Sequence, residues 1–207
     1  LISNLKIKGV ILFLKVKNKK FYMMDLTIVL PTYNSEKNFK SFLDSLKEQD
    51  YQNFYLFLAD GGSKDKTIEI IKSYNFNLII VSTKDTSAEE GINNCLKLIK
   101  TKYFCILNSD DILGQKNYLS SLLNALKTKK IDVVFPNFGS IVDDKKKILE
   151  QDGDFTKILT QNISPDIGWM ANSKVLIEGH FSTYYKVATA YHFLLRIYKK
   201  KYVFFRE

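Results

Sequence analysis

Polar side chains that could do chemistry follow three apolar runs of this 207-residue chain. The three polar clusters are Pro31 to Asn34, Asp60 to Ser63 and Asn108 to Asp111. Short apolar runs bounded by turn residues are typical of buried strands. Because ligands of open α/β sheets bind where strands reach their carboxyl ends, the three clusters are expected to meet along one rim of a sheet.

The third cluster carries two adjacent carboxylates, Asp110 and Asp111. Like charges this close raise each other's pKa or recruit a cation. Oxygen ligands suit a hard divalent ion, Mg²⁺ or Mn²⁺, which also bridges phosphates. The competing interpretation is a solvated Asp-Asp turn without chemistry, since Asp and Asn are common in turns.

The second cluster contains a glycine pair, Gly61 and Gly62. It does not form a GxGxxG fingerprint, and no GKS or GKT follows it. The pair therefore argues against a dinucleotide site and against a P-loop NTPase, and it is also compatible with a plain strand-to-helix turn.

The elements that must position these clusters alternate along the chain. Strands are predicted at 26–30, 54–59, 78–81, 103–107, 133–135 and 202–205. Helices are predicted between them, from apolar stripes such as Phe39, Phe42, Leu43 and Leu46, and a last helix is predicted at 185–198. Two runs that flank Asp143-Asp144 predict a hairpin at the sheet edge. This order predicts an α/β fold with a mostly parallel sheet flanked by helices and a short antiparallel element in the second half.

The composition of the chain excludes fewer functions than the motifs do. The net charge of +9 fits nucleic acid, an anionic membrane or a phosphate-bearing substrate, and it also fits a lysine-rich solvated surface. Cys95 and Cys105 lack zinc-ligand spacing, which favours free buried thiols in a reducing cytoplasm. No apolar run is long enough to span a bilayer. Residues 1–24 are predicted to be an N-terminal extension before the working domain, 25–207.

Three motifs together resemble the family-two glycosyltransferases of GT-A fold. They are LTIVLPTYN at 26–34, ADGGSKDKT at 59–67 and ILNSDD at 106–111, in the order and at the spacing of that family. The resemblance covers about residues 25–205 and is closest to the bacterial branch that builds surface polysaccharides. It implies a single GT-A, Rossmann-like domain, cut short at its C-terminus, and an inverting, metal-dependent transferase that uses a nucleotide-sugar, with UDP as the expected nucleotide.

The resemblance also implies roles for individual residues. Those expected to bind the nucleotide are Pro31, Thr32, Tyr33, Asn34, Asp60, Asp85, Asn108 and Ser109. Within this set, Asp60 is expected to contact the base and Asp85 to lie near the donor. Asp110, with Asp111 beside it, is expected to hold the divalent metal. Asn108 stands where the family often has the first acid of Asp-x-Asp, so weaker metal binding is expected.

The general base is where the sequence departs from the family. An acidic residue usually opens the last helix, and this chain has Ala190 there. Candidates to replace it are His192, which can act near neutral pH, Asp166 and His180. His192 also has the interpretation of an ordinary helix residue. Trp169 is a candidate for stacking on a sugar, against the alternative of a core position.

The predicted partners are a nucleotide-sugar donor and a glycan or lipid-linked glycan acceptor. The predicted location is cytoplasmic, with the basic surface suited to peripheral contact at the inner face of the membrane. One rival function is a protein that binds the donor without transferring it. A second is a basic nucleic-acid-binding module, which the acidic rim and the lack of an aromatic-basic motif disfavour. A third is a nucleotidyltransferase, which would need a Gly-rich basic loop after the first strand.

Overall fold

A central sheet of nine strands organises the chain, in the order β1-β2-β5-β4-β3-β6-β10-β7-β11. The computed structural model describes residues 24–82, 87–137, 154–160, 168–185 and 188–207, and the backbone of 2–7, 10–15, 139–142 and 145–148. The strands are β1 Ile2–Ile7, β2 Val10–Lys15, β3 Leu26–Thr32, β4 Phe54–Asp60, β5 Asn77–Ser82, β6 Tyr103–Ile106, β7 Val133–Phe135, β8 Gly139–Val142, β9 Lys145–Ile148, β10 Met170–Asn172 and β11 Phe204–Arg206.

The middle of the sheet is parallel, as the sequence predicts. Strand β3 pairs in parallel with β4 on one side and with β6 on the other, and β4 pairs in parallel with β5. The residues of these strands are almost all buried, because helices cover both faces. The carboxyl ends of β3, β4 and β6 therefore lie side by side.

Within the described residues, five helices cover the sheet: α1 Glu36–Lys47, α2 Thr67–Ser73, α3 Ala88–Leu96, α4 Tyr118–Thr128 and α5 Thr189–Lys199. Helices α1, α2 and α4 pack on one face, where the predicted stripe of α1 is fully buried. Helices α3 and α5 pack on the other face around Trp169 and its neighbours. Alternate residues of β3 enter the two cores, Leu26, Ile28 and Leu30 on one side and Val29 on the other. The result is a three-layer α/β fold.

The second half of the sheet contains a strand that the sequence analysis missed. Strand β10 runs antiparallel between β6 and β7, and β11 then pairs in parallel with β7. Three residues are too few to show a strand period, which explains the omission. The predicted hairpin is present as β8 and β9, but the two strands form their own sheet instead of an edge of the main one. Two short 3-10 helices, Phe155–Leu159 and Ser173–Glu178, complete this half.

The first two strands extend the sheet beyond β5. Strands β1 and β2 form an antiparallel hairpin, and β2 pairs antiparallel with β5. Residues 2–15 thus contribute backbone to the same sheet as the predicted domain. The division of the chain at residue 24 remains a prediction.

Two details of the predicted boundaries were wrong. Strand β3 continues through Pro31 to Thr32 instead of ending at the proline. The backbone of Val29 faces β6, because its carbonyl accepts a hydrogen bond from the Leu107 N–H. The backbone nitrogen of Pro31, two residues later, faces the same side, but β6 has already ended at Ile106. Its missing N–H therefore costs no ladder hydrogen bond. The last helix begins at Thr189, not at residue 185. In the part of the chain that the structure describes, no helix has the length and apolarity needed to cross a membrane.

Candidate active site

A cleft of about 740 Å³ opens where β3, β4 and β6 end. All three predicted polar clusters contribute to it, together with the start of α3. Its lining comprises Pro31, Thr32, Tyr33, Asn34, Ser35, Lys37, Asn38, Ala59, Gly61, Ser87, Ala88, Gly91, Asn108, Ser109 and Asp110. The convergence expected from strand order is therefore present, and the volume suits a ligand of nucleotide size.

Hydrogen bonds join the loop after β3 to the loop after β4. Asn34, in the left-handed backbone region with φ of 50°, donates its N–H to Ser63 Oγ at 3.0 Å. Its side-chain oxygen accepts from the Lys64 N–H at 2.9 Å. The network continues through Glu36, whose N–H reaches the Asp65 carboxylate at 3.0 Å. Each loop thus fixes the other, which prepares one wall of the cleft before a ligand arrives.

The carboxylate of Asp60 lies buried behind that wall and is 2% exposed. It accepts from the N–H groups of Gly62 and Ser63, both at 3.1 Å, and from Ser63 Oγ at 2.5 Å. Thr32 Oγ1 adds a longer contact at 3.4 Å. Ser63 therefore closes onto Asp60 and does not cap α2, whose first residue is Thr67. Asp60 holds the turn that places Gly61 in the cleft, and its contact with a base stays a prediction.

Asp110 and Asp111 occupy different positions at the mouth of the cleft. Asp110 is exposed and lines the cleft, whereas Asp111 is not part of the lining. Loss of solvation and the negative charge of Asp110 raise the pKa of the Asp111 carboxyl, although hydrogen bonds from Asn108 act to lower it. A cation bound nearby would offset the repulsion between the two negative charges and favour ionisation of both carboxyl groups. Ser109 Oγ bonds Ser35 Oγ at 3.0 Å and ties this loop to the start of α1.

The metal-binding potential of the cleft rests on this pair. Within the described ranges, no group of three or more His, Cys, Asp and Glu side chains is arranged to hold a metal ion. Two carboxylates and water are nevertheless a usual protein contribution to Mg²⁺, which takes its other ligands from substrate phosphates. The donor set therefore fits a metal that arrives with a diphosphate.

Helix α3 forms the opposite wall with its first turn. Ser87 caps the helix by accepting from the Glu90 N–H at 3.3 Å. Ser87, Ala88 and Gly91 line the cleft. Asp85, predicted to lie near the donor, falls outside the described residues.

The residues predicted to serve as a base lie outside the cleft lining or outside the described residues. His192 packs against Tyr185, with ring centroids 4.9 Å apart, and its Nδ1 is enclosed without a hydrogen-bond partner among the described residues. Burial and the charge of Arg196 lower the pKa of His192. Asp166 is not among the described residues, and Ala190 is buried. A role for His192 or Asp166 stays a prediction.

Trp169 occupies a core position and not a sugar-binding surface. Its side chain is fully buried, stacked on Phe193 at 6.0 Å and on Phe181 at 6.5 Å. The stacking hypothesis for this residue was wrong, because its fully buried side chain presents no face to a sugar.

One contact beside the cleft has no signature in the sequence. Thr189 Oγ1, at the start of α5, donates to Glu89 Oε1 of α3 at 3.3 Å. The two residues are 100 positions apart, so no local pattern could have joined them. Glu89 immediately follows the lining residue Ala88 and brings a carboxylate to the first turn of α5, which has no acidic residue of its own.

Two curated bacterial glycosyltransferases are similar to this chain in sequence. The chain is 26% identical over 133 residues to the uncharacterized glycosyltransferase RP339 of Rickettsia prowazekii, covering 63% of this chain and 41% of the relative. It is 28% identical over 117 residues to the glycosyltransferase GlyG of Streptococcus pneumoniae, covering 55% of this chain and 38% of the relative. The chain therefore matches about two fifths of the length of these curated relatives.

A solved structure shows the same fold. The crystal structure of residues 1–349 of TarS from S. aureus superposes with a TM-score of 0.74 at 21% identity, over 89% of this chain and 58% of that one. This match confirms the predicted GT-A architecture. The model of the family described as glycosyl transferase family 2 matches residues 27–201, which include the second and third motifs and all of the first except Leu26. The chain therefore belongs to glycosyl transferase family 2.

Proposed function

We propose that this chain transfers a sugar from a nucleotide-sugar, with a UDP-sugar as the first candidate, to a glycan or lipid-linked glycan acceptor with inversion at the anomeric carbon. The observation that carries the proposal is the cleft at the ends of β3, β4 and β6, with the carboxylate of Asp110 at its mouth. Such a cleft offers a slot for a nucleoside and an acidic edge for a metal-bound diphosphate.

Solved relatives support UDP as the nucleotide. TarS from S. aureus has been crystallised with UDP and with UDP-GlcNAc. Glucosyl-3-phosphoglycerate synthase from Mycobacterium tuberculosis has been crystallised with Mn²⁺ and UDP. In this chain the nucleoside would lie along Pro31 to Asn34 and Gly61, where Tyr33 exposes 63% of its surface for stacking.

A divalent metal is part of the proposal because the leaving group is a negatively charged diphosphate. Asp110 would hold a divalent ion, with Asp111 and Asn108 beside it, and the ion would neutralise charge on the departing diphosphate. The residues of the chain fix the rest of the arrangement. Ser109, tied to Ser35, orients the loop that carries both acids, and the Asp60 turn holds the nucleoside wall. Inversion then requires an acceptor hydroxyl on the opposite face of the sugar, assisted by a base.

A second candidate function is donor binding without transfer. It is favoured by Ala190, which stands buried where the resemblance implies an acid. The two functions share the nucleotide cleft and differ only in the chemical step. Peripheral contact with an anionic membrane is a further part of the proposal, supported by the net charge of +9, and binding to anionic but not neutral vesicles would test it.

The experiment that tests transfer measures UDP release from a panel of UDP-sugars, with and without glycan acceptors, in Mn²⁺. Transfer with inversion predicts acceptor-dependent UDP release and a β-linked product from an α-linked donor, visible by NMR of the anomeric proton. Donor binding without UDP release under any condition would support the second function. Absence of both binding and release would contradict the proposal as a whole.

A further inference from the structure

Among the described residues that line the cleft, two carry a charge, Lys37 and Asp110. Asp110 holds the metal in the proposed function, whereas Lys37 has no part in it so far. A role for Lys37 rests on that function, because it requires a nucleoside diphosphate in the cleft. The position of Lys37 and its surroundings indicate which part of this ligand it binds.

Lys37 lies in the first turn of α1, which follows the loop after β3. The side chains of a helix tilt toward its N-terminus, so a side chain of the first turn extends past the start of the helix. Lys37 accordingly lines the cleft, although the apolar face of α1 packs on the sheet. Its side chain is exposed and therefore accessible to a ligand.

A hydrogen bond holds the start of α1 against the loop that carries Asp110. Ser109 Oγ donates to Ser35 Oγ, at the N-cap of α1, over 3.0 Å. Lys37 follows Ser35 by two residues, and Asp110 follows Ser109 directly. A diphosphate bound to a metal at Asp110 would therefore lie beside the helix end from which Lys37 projects.

The ammonium group of Lys37 is not committed to a carboxylate of the protein. In the described part of the chain, no ion pair includes Lys37, and it forms none with Asp110. Lys40, further along the same helix, does have a partner, because its Nζ lies 2.7 Å from the Asp44 carboxylate. Lys37 thus brings an unpaired positive charge to the cleft.

This charge suits a diphosphate better than a nucleoside. Uridine is neutral, whereas a diphosphate is an anion that the carboxylate of Asp110 repels when no metal is bound. A lysine binds phosphate oxygens as a point charge through its N–H donors. Lys37 would offset the repulsion from Asp110, and its contribution is largest where no metal ion balances the charge of the phosphates.

We propose that Lys37 binds the diphosphate of the nucleotide and supplies affinity for it that does not depend on the metal. Lys37 and Asp110 then recognise the same group in two ways, the first through hydrogen bonds from the ammonium group and the second through a divalent ion. Lys37 thereby selects nucleoside diphosphates over nucleosides.

Lys37→Met tests the proposal, because it keeps an unbranched side chain and removes the charge. Lys47→Met, an exposed change in the last turn of the same helix, is the matched control. Without metal, we expect Lys37→Met to weaken the binding of UDP about tenfold in calorimetry. Its binding of uridine, followed by ligand-observed NMR, and its melting temperature are expected to match the wild type. Lys47→Met is expected to bind both ligands like the wild type.

Salt separates a contact with phosphate from a change in the fold. The difference in UDP affinity between the wild type and Lys37→Met is expected to shrink at about 1 M NaCl, where charges are screened beyond about 3 Å. The proposal is overturned if Lys37→Met binds UDP like the wild type, if it loses uridine as strongly as UDP, or if the difference is unchanged by salt. The proposed function survives these three outcomes. A wild type that binds neither ligand contradicts both the proposal and the proposed function.

Discussion

The side chain of Asn93 exchanges two hydrogen bonds with the backbone of Phe181. Its Nδ2 donates to the Phe181 carbonyl at 2.8 Å, and its Oδ1 accepts from the Phe181 N–H at 2.9 Å. Both residues are buried, and Phe181 stacks on Trp169, the single tryptophan of the chain. Asn93 therefore fastens α3 to the segment that leads into α5, and so keeps Glu89 beside Thr189.

Replacing Asn93 by alanine is expected to destabilise the fold by about 2 to 4 kcal/mol, because two buried backbone groups lose their partners. The measurement is urea unfolding followed by Trp169 fluorescence. Lys97→Ala, an exposed change directly after the same helix, is the control and is expected to change stability by less than about 0.5 kcal/mol. Equal stability of the two variants would show that this pair of hydrogen bonds is not what holds the segment.

Replacing Asp60 by alanine is expected to weaken UDP binding and to lower stability by about 1 to 3 kcal/mol, since the N–H groups of Gly62 and Ser63 lose a buried acceptor. Asp60→Asn is expected to be intermediate because it offers one acceptor oxygen instead of two. Calorimetry of UDP binding and urea unfolding check the two effects. Full affinity and full stability in Asp60→Ala would exclude the role of this residue in shaping the wall.

The two glycines of the same turn are expected to respond differently to alanine. Gly62 has φ of +88°, and an added Cβ meets nothing within 4 Å, so the expected cost of about 1 to 2 kcal/mol comes from backbone strain alone. Gly61 has no such strain, and its Cβ would lie 3.5 Å from the Tyr33 ring on the cleft side. Gly61→Ala should therefore keep its melting temperature and lose UDP affinity. The reverse pattern would contradict the placement of the turn.

Stability is expected to fall as the pH drops below neutrality, because of the two histidines of the chain. Burial, with nearby cationic side chains, lowers the pKa of His180 and of His192. The folded protein thus binds fewer protons than the unfolded chain, whose histidines titrate near about 6.5. The stability that depends on both histidines being neutral is fully present above that pH. It is lost as the pH falls through the lower pKa values that the two histidines have in the folded protein.

Urea unfolding at several pH values between 5.5 and 7.5 (about two units around the histidine reference) measures this effect. The variant with both His180→Gln and His192→Gln is expected to show a flatter dependence than the wild type. Parallel curves would mean that other groups cause the acid sensitivity.

The sequence predicted those parts of the fold that repeat locally. The stripe from Phe39 to Leu46 and the buried runs of β3, β4 and β6 followed from periodicity, and their order placed the three polar clusters on one rim. Strand β10 escaped because its three residues are ordered by neighbours on both sides, not by their own pattern.

The site was predictable in its location but not in its contacts. Asp60 and Asp110 follow strands and could be placed from the sequence, whereas the closure of Ser63 onto Asp60 depends on backbone angles within the turn. The contact of Glu89 with Thr189 depends on how α3 and α5 pack on the same face of the sheet. Such long-range packing has no period for a single sequence to show.

Calorimetric titration of UDP with and without Mn²⁺ tests the central claim most directly. Wild type is expected to bind UDP at least about tenfold more tightly with Mn²⁺, equivalent to about 1.4 kcal/mol. Asp110→Ala is expected to lose that enhancement while it retains weak binding without metal, and Asp50→Ala, an exposed control outside the cleft, is expected to behave like the wild type. No UDP binding in either condition, or the same Mn²⁺ enhancement in Asp110→Ala as in the wild type, would contradict the account.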